Sequence, residues 1–262
     1  MIQLNENQYE LLLRLLEEIN FNTLFIRSVI AGHVEGKIYV DYLHCPKSFY
    51  AISKCGLSLL FGNPNNEQFN NSLFNYFTQK NELRIKDEWL QAYPCEWYPL
   101  IEKVVSVGKA NRYSRLNFSF DKNEFYKNNA DLYFDEYTII PTTAEMFSSI
   151  KGTVSPSEFW CDEHQFLKTS TSFIIVIDGE PASTAFASYR HDNILEIGIE
   201  TDEKYRGRGL AQIVCSRLIK YCIENNLEPM WSCRLENVAS TNLAKRLGFK
   251  ETMRLPYYHI PV

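Results

Sequence analysis

The residues best suited to chemistry lie between Glu196 and Ala211, where carboxylates on one strand face give way to Arg206-Gly207-Arg208-Gly209. After that turn, Leu210, Val214 and Leu218 recur every four positions, with Ala211, Cys215 and Cys222 near the same stripe. That spacing predicts a helix running to about Asn225. The first amides of a helix have no internal acceptor, and its dipole adds partial positive charge there, so a glycine-bearing turn leading into one suits an anion. Gly207 and Gly209 admit a phosphate close to the backbone, since no Cβ stands in the way. Arg206 and Arg208 add mobile positive charge. Upstream, Leu195, Ile197 and Ile199 alternate with Glu196, Gly198 and Glu200, which predicts a strand with one apolar and one acidic face. Glycine and arginine also serve ordinary strand-to-helix turns, so the turn alone does not define a function.

Downstream context narrows the reading. Trp231-Ser-Cys-Arg-Leu-Glu-Asn237 is followed by Ser240, Leu243, Ala244 and Leu247-Gly248-Phe249, a further strand and helix. The spacing Arg206-x-x-Gly209-x-Ala211 resembles the Arg/Gln-x-x-Gly-x-Gly/Ala pyrophosphate loop of the GNAT superfamily of N-acetyltransferases. The Asn237-to-Phe249 segment resembles the next strand and helix of that superfamily. The resemblance covers roughly residues 130–262. The subgroup it most resembles includes the zwittermicin A resistance acetyltransferases and carries an extra N-terminal region.

What the resemblance implies is an acetyl-CoA co-substrate, no metal, and a small amine as acceptor. The amides of Ile199, Glu200 and Thr201 would bind the pantetheine arm. The pyrophosphate would sit on Arg206, Gly207, Arg208, Gly209, Leu210 and Ala211, with Asn237 and Ser240 as further coenzyme contacts. Glu196, about ten residues before the loop arginine, would be the general base, and Glu200 is the second candidate. One departure stands out: many members carry a tyrosine seven residues after the asparagine, to protonate the leaving thiolate, and that position is Ala244 here. Tyr257, Tyr258 or a water could replace it. Two further readings stay open: a donor with a longer acyl or an aminoacyl group, and a non-catalytic acyl-CoA-binding module.

Composition bounds the alternatives. The chain has 262 residues, enough for one large or two modest domains, and 45% of it is hydrophobic. A net charge of −5 and a pI near 5.6 offer no broad basic surface for nucleic acid. Seven cysteines without a C-x-x-C pair suit reduced thiols better than zinc or disulfides, and five histidines form no ligand array. No basic segment followed by an apolar run opens the sequence and no run reaches membrane-span length, so a soluble cytoplasmic protein is expected.

The elements that must position the site follow from periodicity. Residues 6–18 predict an amphipathic helix with Leu11, Leu12, Leu15 and Leu16 inside. Strands are expected over 36–41, 48–52 and 57–61, the last two as a hairpin across Lys54-Cys55-Gly56, then a helix over Glu67–Lys80 and another starting near Pro99. Trp89, Trp97 and Tyr98 read as core. Arg112 to Phe125 reads as one strand, with a polar break over 126–130 and a domain junction between 125 and 126. From there the expected order is a strand near 137–140, a helix capped by Thr142 or Thr143, a helix from Pro156, strands over 173–177 and 181–189 joined by Asp178-Gly179, and then the site segment. The fold class is therefore α/β (α+β): a GNAT fold over 126–262 with a mixed central sheet flanked by helices, preceded by a smaller α/β domain over 1–125. That smaller domain has the same strands-then-helix order, as a degenerate GNAT-like half would. Its turn Gly62-Asn-Pro-Asn-Asn lacks the arginines and second glycine, so no second coenzyme site is expected there.

Overall fold

The computed structural model describes residues 1–78, 84, 86–130 and 137–262. They fall into two compact units, one of Met1–Arg115, Arg234–Glu236 and Arg254–Val262, the other of Leu116–Cys233 and Asn237–Met253. In chain order the first unit contains β1 (Ile2–Gln3), α1 (Leu13–Leu16), α2 (Leu24–Ile30), β2 (Gly36–Val40), β3 (Ser48–Ser53), β4 (Leu57–Gly62), α3 (Glu67–Thr78), β5 (Glu88–Tyr93), α4 (Tyr98–Ser106) and the start of β6 (Asn111–Phe120). The second contains the rest of β6, α5 (Lys122–Asn128), β7 (Thr138–Pro141), α6 (Ala144–Ser149), α7 (Pro156–Phe159), α8 (Glu163–Thr169), β8 (Ser172–Ile177), β9 (Glu180–His191), β10 (Ile194–Thr201), α9 (Leu210–Glu224), β11 (Glu228–Arg234), α10 (Val238–Arg246) and the start of β12 (Phe249–Ile260). The junction expected between 125 and 126 falls inside α5, within the second unit.

One element order occurs twice: a strand, helices, three antiparallel strands, a helix, a strand parallel to the third, a helix and a last strand. In the first unit β1, β2, β3 and β4 pair antiparallel in sequence and β5 joins β4 in parallel. In the second β7, β8, β9 and β10 do the same, and β11 joins β10 in parallel. The end of β12 belongs to the first unit, where Tyr258 and Ile260 pair with Leu90 and Glu88 of β5.

Most expected elements form where the patterning puts them, and the differences have local causes. The β3–β4 hairpin runs from Ser48↔Gly62 to Ile52↔Ser58. Asp178 and Gly179 turn β8 into β9 with positive φ at both positions, the geometry that matches strand twist. Residues 6–12 form a 3-10 helix before α1, so the inner stripe rotates: Tyr9, Leu12 and Leu16 are buried, while Leu11 is 75% exposed and Leu15 faces solvent. The strand expected to reach Phe125 stops at Phe120, because Asp121 caps α5 by accepting from the amides of Asn123 and Glu124. Thr143 takes the N-cap position of α6, its hydroxyl turned to Glu145. Gln79 and Lys80, the expected end of the third helix, lie outside the described residues.

In the first unit α3 and α4 cover one sheet face through Phe69, Leu73, Phe77, Ile101 and Val104, with Trp97 fully buried among them. A polar cluster sits within this apolar core. Glu88 is 1% exposed and accepts from the hydroxyls of Tyr50 and Tyr76, the latter at 2.5 Å, with Arg84 Nε 3.6 Å away. Burial raises the Glu88 carboxyl above its ordinary range, against the opposing pull of both hydroxyls and the arginine. A carboxyl whose pKa is higher folded than unfolded holds its proton more tightly in the native state. Its contribution is therefore fully present below the unfolded pKa and is lost as pH rises through the folded one. Glu88→Gln is expected to flatten that fall in stability as pH rises above the ordinary carboxylate range. Chemical denaturation at a series of pH values checks it, and parallel pH profiles for wild type and variant would refute it.

Candidate active site

The second unit carries the expected site residues on β10, in the loop after it and at the starts of α9 and α10. β10 pairs with β9 over its whole length, from Ile194↔His191 to Thr201↔Ser183, with an extra residue in β9 at Ser188. Its parallel ladder with β11 is much shorter and ends at Glu196↔Met230. Beyond that point β10 and β11 run on without pairing. Asp202 donates its amide to Ala182 of β9 at 3.0 Å, and the Glu200 carbonyl lies 3.5 Å from Ser183 Oγ. Backbone groups alternate sides along a strand, so Glu200 faces β9, and Ile199 and Thr201 turn their amides to the open edge. Of the three amides expected to face a pantetheine arm, the Glu200 amide is therefore committed to β9.

The loop after β10 is open to an incoming group. Gly207 and Gly209 both have φ +78°, and a Cβ built on either would meet no atom within 4 Å. Gly209 is the N-cap of α9 and supplies no side-chain cap, which leaves the start of a 15-residue helix available to an anion. Arg206 reaches back, its Nε donating to the Thr201 carbonyl at 3.1 Å and its terminal nitrogen lying 3.5 Å from Glu200 Oε1. Arg208 stacks its guanidinium 5.6 Å from the ring centroid of Tyr205. Leu210 is buried under the loop and Ala211 follows on the half-covered side.

The two carboxylates of the strand differ in their surroundings. Glu196 is 5% exposed and accepts through Oε1 from the Ser232 hydroxyl of β11, just where the two strands part. Glu200 accepts from the amide of Val154 at 3.2 Å and also faces Arg206. Between them Gly198 leaves room for the Phe186 ring, which a Cβ there would meet at 2.7 Å. Phe186 joins Phe147, Trp160 and Phe166 in a buried cluster, so α6, α7 and α8 cover this acidic face. Sequence reasoning did not find Ser232. Alternation along Glu228–Arg234 puts it on a face with Met230, but only the strand pairing shows that this face meets Glu196.

Asn237 is the N-cap of α10 and accepts from the Ser240 amide at 3.1 Å; Ser240 Oγ accepts from Trp231 Nε1. Ala244 is fully buried in α10. The tyrosines offered in its place are both buried in the first unit. Tyr257 accepts from Arg115 and has its hydroxyl pushed up to about 12, chiefly by burial, while Tyr258 donates to Glu102 at 2.8 Å.

The turn in the first unit that corresponds in order to this loop is closed. β4 and β5 stay paired from Leu57↔Trp89 to Phe61↔Tyr93. A Cβ on Gly62 would collide with the Lys47 carbonyl, and Asn66 Oδ1 accepts the Phe69 amide in the first turn of α3.

Parallel strands that part beside a glycine loop and an uncapped helix start leave backbone amides free to meet an anionic, amide-bearing ligand. The chain belongs to the GNAT acetyltransferase family, whose model matches residues 14–258. A sequence relative, the uncharacterized N-acetyltransferase YdfB of Bacillus subtilis, is 25% identical over 238 residues, covering 90% of this chain and 89% of its own. The GCN5-related N-acetyltransferase-like protein of Streptococcus suis superimposes with a TM-score of 0.73 at 24% identity, over 96% of this chain and 98% of that one. A tandem GNAT protein from the clavulanic acid biosynthesis pathway gives 0.63 at 12% identity, over 99% and 97%. These two likenesses show the fold, including its repeated halves.

The left-handed conformation at Gly209 has a price in any other residue. Gly209→Ala is expected to lower stability by about 1–2 kcal/mol, the cost of placing a Cβ residue in that region. Its methyl meets no neighbour, so repacking adds nothing. Urea denaturation checks this, and an unchanged midpoint would contradict the assigned turn.

Proposed function

We propose that the protein is an acetyl-CoA-dependent N-acetyltransferase acting on the primary amine of a small molecule. The observation that carries this reading is the parting of β10 from β11 after Glu196, which turns the Ile199 and Thr201 amides to an open edge that leads to the uncapped start of α9. The donor set fits the group: amides in a row for an arm rich in amides, and glycines, a helix dipole and two arginines for a pyrophosphate. When bound, acetyl-CoA supplies an acetyl group already activated as a thioester. The chain's own part is to hold it along Ile199 and Thr201, to hold its phosphates on Arg206, Gly207, Arg208, Gly209, Leu210 and Ala211, and to take a proton. Asn237 and Ser240, at the start of α10, are further coenzyme contacts in this reading.

Glu196 is the base in this reading. It sits at the fork of the strands, and Ser232 fixes one carboxylate oxygen. An amine attacking the thioester carbonyl forms the new C–N bond and breaks the C–S bond, and its surplus proton passes to Glu196. With Ala244 in the tyrosine position, water protonates the departing thiolate; Tyr257 and Tyr258 are held by Arg115 and Glu102. An acidic net charge favours a cationic acceptor. The order of elements in the first unit supports affiliation with the subgroup that carries an extra N-terminal region, and seven free cysteines support a reducing, cytoplasmic setting. Among the described residues no helix is long and apolar enough to cross a membrane.

Coenzyme binding tests the loop. Acetyl-CoA is expected to raise the melting temperature by mass action, with one site per chain in calorimetric titration, and Gly209→Val to abolish both signals. A folded Gly209→Val protein with unchanged affinity would remove the loop assignment, and two equivalent sites would make the first unit a second coenzyme binder.

Turnover tests the base. Glu196→Gln keeps the shape and removes the basicity, so acetyl-CoA affinity should persist while kcat falls by about 10² to 10⁴. If Glu200→Gln instead carries the large loss and Glu196→Gln turns over normally, the assignment of the base is wrong.

A further inference from the structure

Glu200 sits where three segments of the second unit meet. Its Oε2 accepts from the amide of Val154, in the connection between α6 and α7, at 3.2 Å. Its Oε1 faces Arg206 of the glycine loop at 3.5 Å, and its own backbone is committed to β9. The connection is pressed onto the carboxylate: a Cβ on Gly152, whose φ is +133°, would lie 2.5 Å from Glu200 Cδ and Oε2. Lys151, Gly152 and Thr153 are exposed between buried Ile150 and half-buried Val154, which packs against the Phe147–Trp160–Phe166–Phe186 cluster, and the Glu200 carboxylate ties this stretch to β10 through the Val154 amide. Arg206 has spare capacity. Its side chain is 60% exposed and its planar fork carries five N–H donors, of which the Thr201 carbonyl and Glu200 Oε1 take two.

Resting on the reading of the glycine loop as the pyrophosphate site, we infer that Glu200 is a positioning residue, a tether that couples coenzyme occupancy to the 150–155 connection over the acidic face. A pyrophosphate on the loop outcompetes a single carboxylate for the Arg206 guanidinium, through its greater charge and bidentate geometry. Relieved of its cation, the Glu200 carboxylate is a stronger acceptor for the Val154 amide. The connection therefore tightens when coenzyme arrives, and the wall that an acceptor meets firms up second.

Amide hydrogen exchange on the full chain, with CoA itself as the probe, separates this from the loop reading. In wild type, saturating CoA should slow exchange at Val154 by threefold or more. Glu200→Ala, without ligand, should speed exchange at Val154 by tenfold or more and abolish the CoA response. Gly152→Ala, which forces the connection off the carboxylate while touching no loop residue, should reproduce that faster exchange and still bind CoA in calorimetric titration. If CoA binds wild type but leaves Val154 exchange unchanged or faster, the coupling is refuted. Wild-type exchange rates at Val154 in ligand-free Glu200→Ala and Gly152→Ala would refute the tether itself. Absence of CoA binding to wild type would strike the loop reading alone, since the ligand-free comparison still decides whether the tether exists.

Discussion

Everything in the candidate site depends on where hydrogen bonding between two parallel strands stops. β10 and β11 share a ladder only as far as Glu196 and Met230. A paired strand has no backbone donors to offer, and an unpaired buried strand is costly unless something else satisfies it. The parting thus leaves the Ile199 and Thr201 amides on an edge that β11 does not pair with. The first unit shows the alternative with the same order of elements. There β4 and β5 remain zipped, α3 is capped by its own Asn66, and Gly62 is packed against Lys47. Two halves of one design differ by one stretch of unmade strand pairing.

The carboxylates of β10 illustrate how position on a strand decides role. Glu196 and Glu200 share a face and are separated only by Gly198 and its neighbours. One lies at the fork beside a serine of the next strand. The other lies at the strand end, between an arginine and a loop amide. In the proposed function the first is placed to take a proton, while the second, with a cation and an amide on it, is held in place.

The segment from Ile194 to Glu224 was readable because its determinants are local: alternation, two glycines and a four-residue apolar repeat. The β3–β4 and β8–β9 hairpins were readable for the same reason. What escaped depends on contacts distant in sequence. β5 was not recognised as a strand because it opens on Glu88, a residue rare in cores, which only Tyr50, Tyr76 and Arg84 make tolerable there. Ser232 and Val154 carry no local mark of their partners. The stripe at Leu11 and Leu15 failed through a change of pitch: a 3-10 turn advances the face by a different angle from the α-helix assumed.

The last strand links structure to biosynthesis. Arg254–Val262 complete the first unit, with β12 beside β5 and Arg84 grasping the carbonyls of Ile260 and Pro261. A ribosome delivers residues 1–115 early and this strand only after nearly all of the second unit. At about 5–20 residues per second the interval is on the order of ten seconds. Throughout it the edge of β5 that β12 will cover lacks that strand, so the nascent chain carries an exposed strand edge, of the kind chaperones guard, while residues 116–253 are made.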